Sequence, residues 1–332
     1  MKRVLGLLIL SLLAAPALAA PTVDGTLDGS YGAPYAVQTV QTNFGDASDP
    51  TGLGAGGGGE LDAAYATFSG GRLYVMLTGN IEPNFNKVSV FIDSILGGEN
   101  TLNGALAYDF GNVSQNFGGL TFDAGFEADY HLFARWGGGA FEMDVVNRAA
   151  SAPGAELGNY GAATSGSGTG VQSGSILAGG TATTGADAGM FLTQNLDFGF
   201  NNTNTAGVTG GTAAADPIAA AAVTTGLEFS VALADIGATS PGDIIKIHAV
   251  YGNGDNNYHS NQVLGGLAAP QDNLGGDGGG GFTGSLSGIN FNQFAGDQYF
   301  LITSPGVPEP ATLALAGLGL GGLALARRRQ RK

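Results

Sequence analysis

Apolar and polar residues alternate along much of this chain with the two-residue period of a β-strand. Val88, Val90 and Ile92 alternate with Ser89, Phe91 and Asp93. Tyr130, Leu132, Ala134 and Trp136 alternate with His131, Phe133 and Arg135, and after Gly137-Gly138-Gly139 an apolar run resumes from Phe141 to Val146. Leu61–Phe68 and Arg72–Thr78 flank Ser69-Gly70-Gly71 in the same manner. Two apolar runs around a glycine turn predict a β-hairpin in each case. Further on, Leu227, Phe229, Val231 and Leu233 alternate with Glu228, Ser230 and Ala232. Ile245, Ile247, Ala249 and Tyr251 alternate with Ile244, Lys246, His248 and Val250, and Gln298–Ile302 predicts a last strand. Ala232 to Ile236 is expected to form one helical turn. With little helical periodicity elsewhere, the pattern predicts an all-β fold: an antiparallel β-sandwich, jelly-roll-like, with long loops rich in Gly, Ala, Ser and Thr. No repeat of 20 to 50 residues is evident, which argues against a solenoid or propeller.

One stretch breaks the pattern. Residues 149–223 are mostly Ala, Gly, Ser and Thr. Such a segment buries too little apolar area for a core of its own. It reads as a low-complexity excursion on the sandwich, tacked back by Met190–Leu192 and Leu196–Phe200. Gly54–Gly59 and Gly275–Gly281 read as shorter loops, and Asn253–Gln262 as a polar one.

The two ends differ from the body. Met1-Lys2-Arg3, an apolar run from Val4 to Leu13, and Ala17-Leu18-Ala19 follow the order of a secretory signal peptide, residues 1–19. At the other end, Ala311 to Ala326 carries no charge, and Arg327, Arg328, Arg329, Arg331 and Lys332 follow it. As a helix the apolar run would cover roughly 24 Å, short of a hydrocarbon core of about 30 Å. Its glycines weaken it further. A transmembrane helix of this kind suits a temporary hold, with the basic cluster on the cytoplasmic side. Pro308-Glu309-Pro310 precedes it and stays extended.

Val307-Pro308-Glu309-Pro310, a short apolar helix and a terminal arginine cluster together resemble the PEP-CTERM sorting signal of Gram-negative bacteria. The resemblance implies that residues 305–332 are a sorting segment. It further implies exosortase, a membrane enzyme, as partner, and association with exopolysaccharide or biofilm material. The domain expected between the two ends is 20–304. There, "VDGTLDGSYG" at Val23–Gly32, "LYVMLTGNIE", "VSVFID" and "LEFSVALADIG" resemble, in order, the family-nine carbohydrate-binding-module-like and DOMON-like sandwiches. That likeness implies a sandwich fold and a capacity to bind carbohydrate.

Charge and composition narrow the partners. Between the two end segments only Arg72, Lys87, Arg135, Arg148 and Lys246 are basic, against 26 acidic residues, so the body is near −21. Nucleic acid is therefore not an expected partner, because phosphate binding needs clustered Lys and Arg. Divalent cations would be attracted. The absence of cysteine excludes disulfides, thiol catalysis and thiolate metal sites.

The candidate sites are few. Asp24 and Asp28, in Asp24-Gly-Thr-Leu-Asp28-Gly29, suit calcium, and equally suit Asp-Gly turns. Tyr258, His259 and Asp255 in the polar loop could contact a sugar or a metal, or satisfy their own backbone. Trp136, the only tryptophan, could stack on a sugar or fill the core. No Gly-x-Ser-x-Gly elbow, His-Glu-x-x-His or P-loop occurs. The chain therefore reads as an exported, non-enzymatic surface or matrix protein. A secreted polysaccharide hydrolase is the alternative, since paired carboxylates are spatial and not sequential.

Overall fold

Both glycine hairpins form. In the computed structural model β2 (Glu60–Ser69) pairs antiparallel with β3 (Arg72–Asn80), and Gly70 and Gly71 turn the chain at φ 58° and 77°. β5 (Tyr130–Gly137) pairs with β6 (Ala140–Asn147) through Gly138 and Gly139 at φ 58° and 84°. Left-handed φ at both central positions is the turn whose twist matches that of the flanking strands. The structure describes residues 19–44, 58–104, 115–148, 157–164, 171–178 and 191–307, with the backbone alone for 157–164 and 171. The expected signal peptide, but for its last residue, and the expected helix at 311–326 lie outside the described residues.

The remaining strands are β1 (Ala36–Val37), β4 (Lys87–Asp93), β7 (Leu157–Thr164), β8 (Val171–Ile176), β9 (Leu196–Asn201), β10 (Gly226–Ala232), β11 (Pro241–Gly252), β12 (His259–Leu264) and β13 (Phe300–Pro305). They build two antiparallel sheets. The first runs β1-β2-β3-β10-β9-β8, and the second β12-β11-β4-β5-β6-β7 with β13 beside the first half of β11. β3 pairs with β10 in one sheet while β4 pairs with β11 in the other. Two distant parts of the chain thus run side by side across both sheets, and β5–β7 and β8–β9 extend them as simple meanders.

One core lies between the sheets. From the first come Leu73, Val75 and Leu77 of β3, Phe198 and Phe200 of β9, and Leu227, Phe229 and Val231 of β10. From the second come Val88, Val90 and Ile92, Leu132, Trp136, Phe141, Ile245 and Ile247. Phe141 of β6 stacks on Phe200 of β9 with ring centroids 4.5 Å apart, directly bridging the two sheets.

A second core covers the outer face of the second sheet. Phe91, Val250 and Val263 point outward there, and Phe117, Leu120, Phe122, Phe126, Leu274, Leu286 and Phe291 from the connecting segments close over them. The alternation in the sequence had placed Phe91 on a polar face. β4 is instead buried throughout, because both of its faces are covered.

Two expectations need correction and one is extended. The excursion at 149–223 supplies β7, β8 and β9, and the Leu196–Phe200 stretch expected to tack it to the sheet lies in β9. Glycine and serine suffice there because the neighbouring strand provides the hydrogen bonds. The polar stretch at 253–262 is only partly loop, since β12 begins at His259. Its Asn261 side chain donates to the carbonyls of Gln41 and Gln271, both at 2.8 Å, so polar residues are buried with partners. Ala232–Ile236 closes as a hydrogen-bonded turn, and the described α-helix is elsewhere, α1 (Pro217–Ala221). Asp216 caps it, accepting from the Ile218 N–H at 2.9 Å, and Pro217 opens it, a common helix start.

Phe141→Ala should lower the free energy of unfolding by about 3–5 kcal/mol in denaturant titration, the usual cost of emptying a buried aromatic site. Ile244→Ala, on the exposed face of β11, should change it by less than about 0.5 kcal/mol.

Candidate functional site

The outer face of the first sheet is divided: Ala63, Tyr65, Tyr74 and Met76 of β2 and β3 cluster with Tyr31, while β8, β9 and β10 turn polar side chains outward. Pairing registers place the side chains in rows. Met76, Glu228 and Gly199 form one row across β3, β10 and β9, and Tyr74, Ser230, Asp197 and Ser175 form the next across β3, β10, β9 and β8. Inner and outer residues alternate on each strand, so the apolar neighbours Leu73, Val231, Phe198 and Ile176 face the core.

The segment at 21–31 lies over the first row as a strap. The Asp24 and Gly25 N–H groups donate to Glu228 Oε2 at 2.9 and 3.0 Å, and the Tyr31 hydroxyl donates to Oε1 at 2.6 Å. Gly199 is required beneath it, because a Cβ there would stand 2.6 Å from the Asp24 backbone. Gly25, at φ 77°, meets the Asn201 backbone nitrogen in the same way, at 2.5 Å.

Beside the strap the second row floors a cleft of about 380 Å³, walled by Pro21 and Val23 and lined by Tyr74, Ser173, Ser175, Asp197 and Ser230. Ser175 Oγ donates to Asp197 Oδ1 at 2.7 Å. The Arg72 guanidinium donates to Ser230 Oγ at 2.9 Å and to the Asn195 carbonyl at 2.7 Å, and stands 3.7 Å from Asp197 Oδ2. Asp197 remains 46% exposed, so its carboxylate has lone pairs open to a ligand. Tyr74 is only 8% exposed, too little for a stacking platform. Hydroxyls, a carboxylate and a guanidinium in a shallow cleft suit a hydroxyl-rich ligand held by hydrogen bonds.

The residues singled out from sequence do not converge on this cleft. Trp136 is 2% exposed and packs 6.1 Å from Phe200 in the main core, where no sugar reaches it. His259 is buried in the second core, edge-on to Phe117 at 5.7 Å. Its neighbour Tyr258 stacks on Phe44 at 6.1 Å and donates to the Gly280 carbonyl at 3.2 Å. Asp255 is exposed on the loop before them. Asp24 Oδ1 accepts from the Thr26 N–H at 2.9 Å, and Asp28 Oδ2 from the Thr22 N–H at 2.7 Å. Both therefore hold backbone turns. Among the described residues no group of three or more His, Asp or Glu side chains is placed to hold a metal ion. The cleft residues were missed in the sequence, although the signal existed: Asp197, Ser230 and Tyr74 each interrupt an apolar strand at its outward position.

Burial sets the electrostatics. It pushes the Glu228 carboxyl up to about 7, against the pull of its three hydrogen bonds. It raises the Tyr31 phenol as well, with Glu228 adding to the effect. In the second core burial lowers His248 to about 4 and His259 to about 3, and holds His131 well below the ordinary histidine value.

Comparison with known proteins supplies the address. Residues 306–330 match the family model described as the PEP-CTERM protein-sorting motif. The signal marks an exported protein, held transiently in the membrane and processed by exosortase. Pro308, Glu309 and Pro310 and the basic cluster Arg327–Arg329, Arg331 and Lys332 belong to this terminal segment and lie outside the described residues. No curated protein and no solved structure matches the chain. Among the described residues no helix is long and apolar enough to cross a membrane.

Glu228 gives a pH test. Its folded pKa lies above the unfolded value of 4.5, so its contribution to stability is complete below 4.5 and is lost as pH rises through about 7. Glu228→Gln removes that loss. Relative to wild type, the variant should gain up to about 1.4 kcal/mol per pH unit between those limits and level off above them. Urea titrations at several pH values would check it, and a difference independent of pH would refute it.

Proposed function

We propose that this chain is an exported cell-surface or extracellular-matrix protein of a Gram-negative bacterium, a non-catalytic β-sandwich that holds neutral polysaccharide in the cleft beside the strap. The sorting motif at 306–330 carries the reading, because it joins the acidic two-sheet body to an export and processing route. Delivery then runs from a temporary hold in the inner membrane to the outer surface, among exopolysaccharide or biofilm material. Asp197, Ser175 and Ser230 supply acceptors and donors for sugar hydroxyls, and Arg72 fixes the floor by its bonds to Ser230 and Asn195. The body's charge near −21 favours a neutral glycan, since an anionic one would be repelled. The histidines, His131, His248 and His259, lie in the second core on the other side of the molecule, so the cleft serines have no imidazole to activate them.

Affinity electrophoresis against soluble neutral glycans tests the binding. Retardation of the body without release of sugars is expected. Asp197→Ala combined with Ser175→Ala should weaken it about tenfold or more, the loss of a hydrogen bond to a charged group being worth about 1.5–3 kcal/mol. Released sugars would instead establish a hydrolase. Deleting Pro308–Lys332 should move the protein out of the membrane fraction with its β circular-dichroism signal intact. Loss of that signal would mean that the tail belongs to the fold.

A further inference from the structure

Two acids lie two residues apart on β2 and water reaches neither: Glu60 and Asp62 are both 0% exposed. The pairing of β2 with β3 slips by one residue between Leu61 and Ala63, a β-bulge at Asp62. The segment after β9 grips both acids. Asn204 Nδ2 donates to Glu60 Oε1 at 2.9 Å, and the Val208 N–H donates to Asp62 Oδ1 at 2.8 Å. Gly207 is required at this contact, because a Cβ there would stand 2.1 Å from Asp62 Oδ1. β3 joins the same network: Asn204 Nδ2 also donates to Asn80 Oδ1 at 3.1 Å, and Asn80 Nδ2 donates to Asn202 Oδ1 at 3.1 Å.

Asp62 Oδ2 is buried and receives no bond from a backbone N–H, an amide or a cation. The side chain in hydrogen-bond contact with the Asp62 carboxyl is Glu60. Two ionised carboxylates are acceptors only, so such a contact needs a proton, and two like charges side by side in a dry site repel. Among the described residues, the other titratable groups that act on the pair are Tyr65 of β2 on Asp62 and Tyr251 of β11 on Glu60, with Glu82 acting on Tyr251. The segments 38–42 and 202–208 bring no titratable side chain. Burial raises the Asp62 carboxyl above its ordinary value.

We propose that Glu60 is kept as the neutral acid and donates its proton to Asp62 Oδ2, making a proton-dependent latch between the bulge of β2 and the 202–208 segment. The step that opens it is acid–base alone: the Glu60 O–H bond breaks, hydroxide takes the proton to form water, and two buried carboxylates are left facing each other. Asn204, Gly207 and Val208 then let go of the bulge. The pair holds a proton in the folded chain that it gives up when unfolded, so the latch stabilises the fold in acid and at neutral pH and is lost as pH rises.

Amide variants of the full chain, compared with wild type by urea unfolding in mild detergent, test the shared proton. Glu60→Gln keeps Oε1 for Asn204 and gives Asp62 a permanent N–H donor. Asp62→Asn keeps Oδ1 for Val208 and gives Glu60 one. Each single variant should lose the part of the wild-type fall in stability with rising pH that this pair causes, up to about tenfold in the folded-to-unfolded ratio per pH unit. The double variant sets two NH2 groups against each other, and turning either amide gives up the bond to Asn204 or Val208. It should be at least about tenfold less stable than either single variant, the cost of one unmade buried hydrogen bond. Single variants that fall with pH as wild type does, or a double variant as stable as the singles, would overturn the proposal. So would a wild type that millimolar calcium stabilises while the single variants do not respond, since the pair would then be a cation site. If the variants fail to fold, carbon NMR of the wild-type carboxyl groups decides: Glu60 should show a protonated carboxyl at neutral pH, and two ionised carboxylates at Glu60 and Asp62 would overturn the latch.

Discussion

Two sheets, each with an apolar inner face, leave water by covering one another, and the rest of the body is arranged around that burial. The inner rows meet across Phe141 and Phe200, and strands drawn from residues 60 to 305 contribute. What differs is how each sheet treats its second face. β4 and β11 carry apolar and aromatic residues outward as well, so the segments around Phe117, Phe122 and Phe291 must close over them. The first sheet turns serine, aspartate and glutamate outward on β8–β10, and Tyr65, Tyr74 and Met76 outward on β2 and β3, where Tyr31 of the strap packs on them and the Ala221 carbonyl of α1 accepts from the Tyr65 hydroxyl. The cleft is an open part of the polar half.

The second constraint is the scarcity of positive charge. The described cations are already engaged: Arg135 with Glu142 at 2.7 Å and with Asp144 at 2.5 Å, Lys246 with Asp93 at 2.7 Å, and Arg148 with Glu99. Glu228 and Asp129 are buried with backbone N–H groups as partners, and burial raises both to about 7. His248 and His259 behave in the opposite sense. Their folded pKa values lie below the ordinary 6.5, so they favour the folded state above that value and penalise it as pH falls. Between about pH 4.5 and 6.5 these two acids and these two histidines therefore act with opposite slopes.

The strands and the two glycine hairpins were legible because period-two alternation and paired glycines are local signals. β7 and β8 were not, since their low-complexity sequence has no apolar period and the ladder to β6 and β9 defines them. β12 was obscured by buried Ser260, Asn261 and Gln262, whose partners lie up to about 220 residues away. The helix at Pro217 has a local signal in the sequence, the Asp216-Pro217 start. Trp136 and His259 stood out as rare residues, but rarity does not distinguish a buried ring from an exposed one. The cleft depends on which strands become neighbours, and no local pattern states that.

The strap binds together residues that are far apart in time as well as in sequence. Asp24 and Glu228 are separated by 204 positions. In a chain that leaves a ribosome or a translocation pore amino end first, the bonds from Asp24, Gly25 and Tyr31 to Glu228 cannot form until β10 has emerged. Contacts of such long range close slowly. The front end of the body therefore locks onto Glu228 only once most of the chain has emerged.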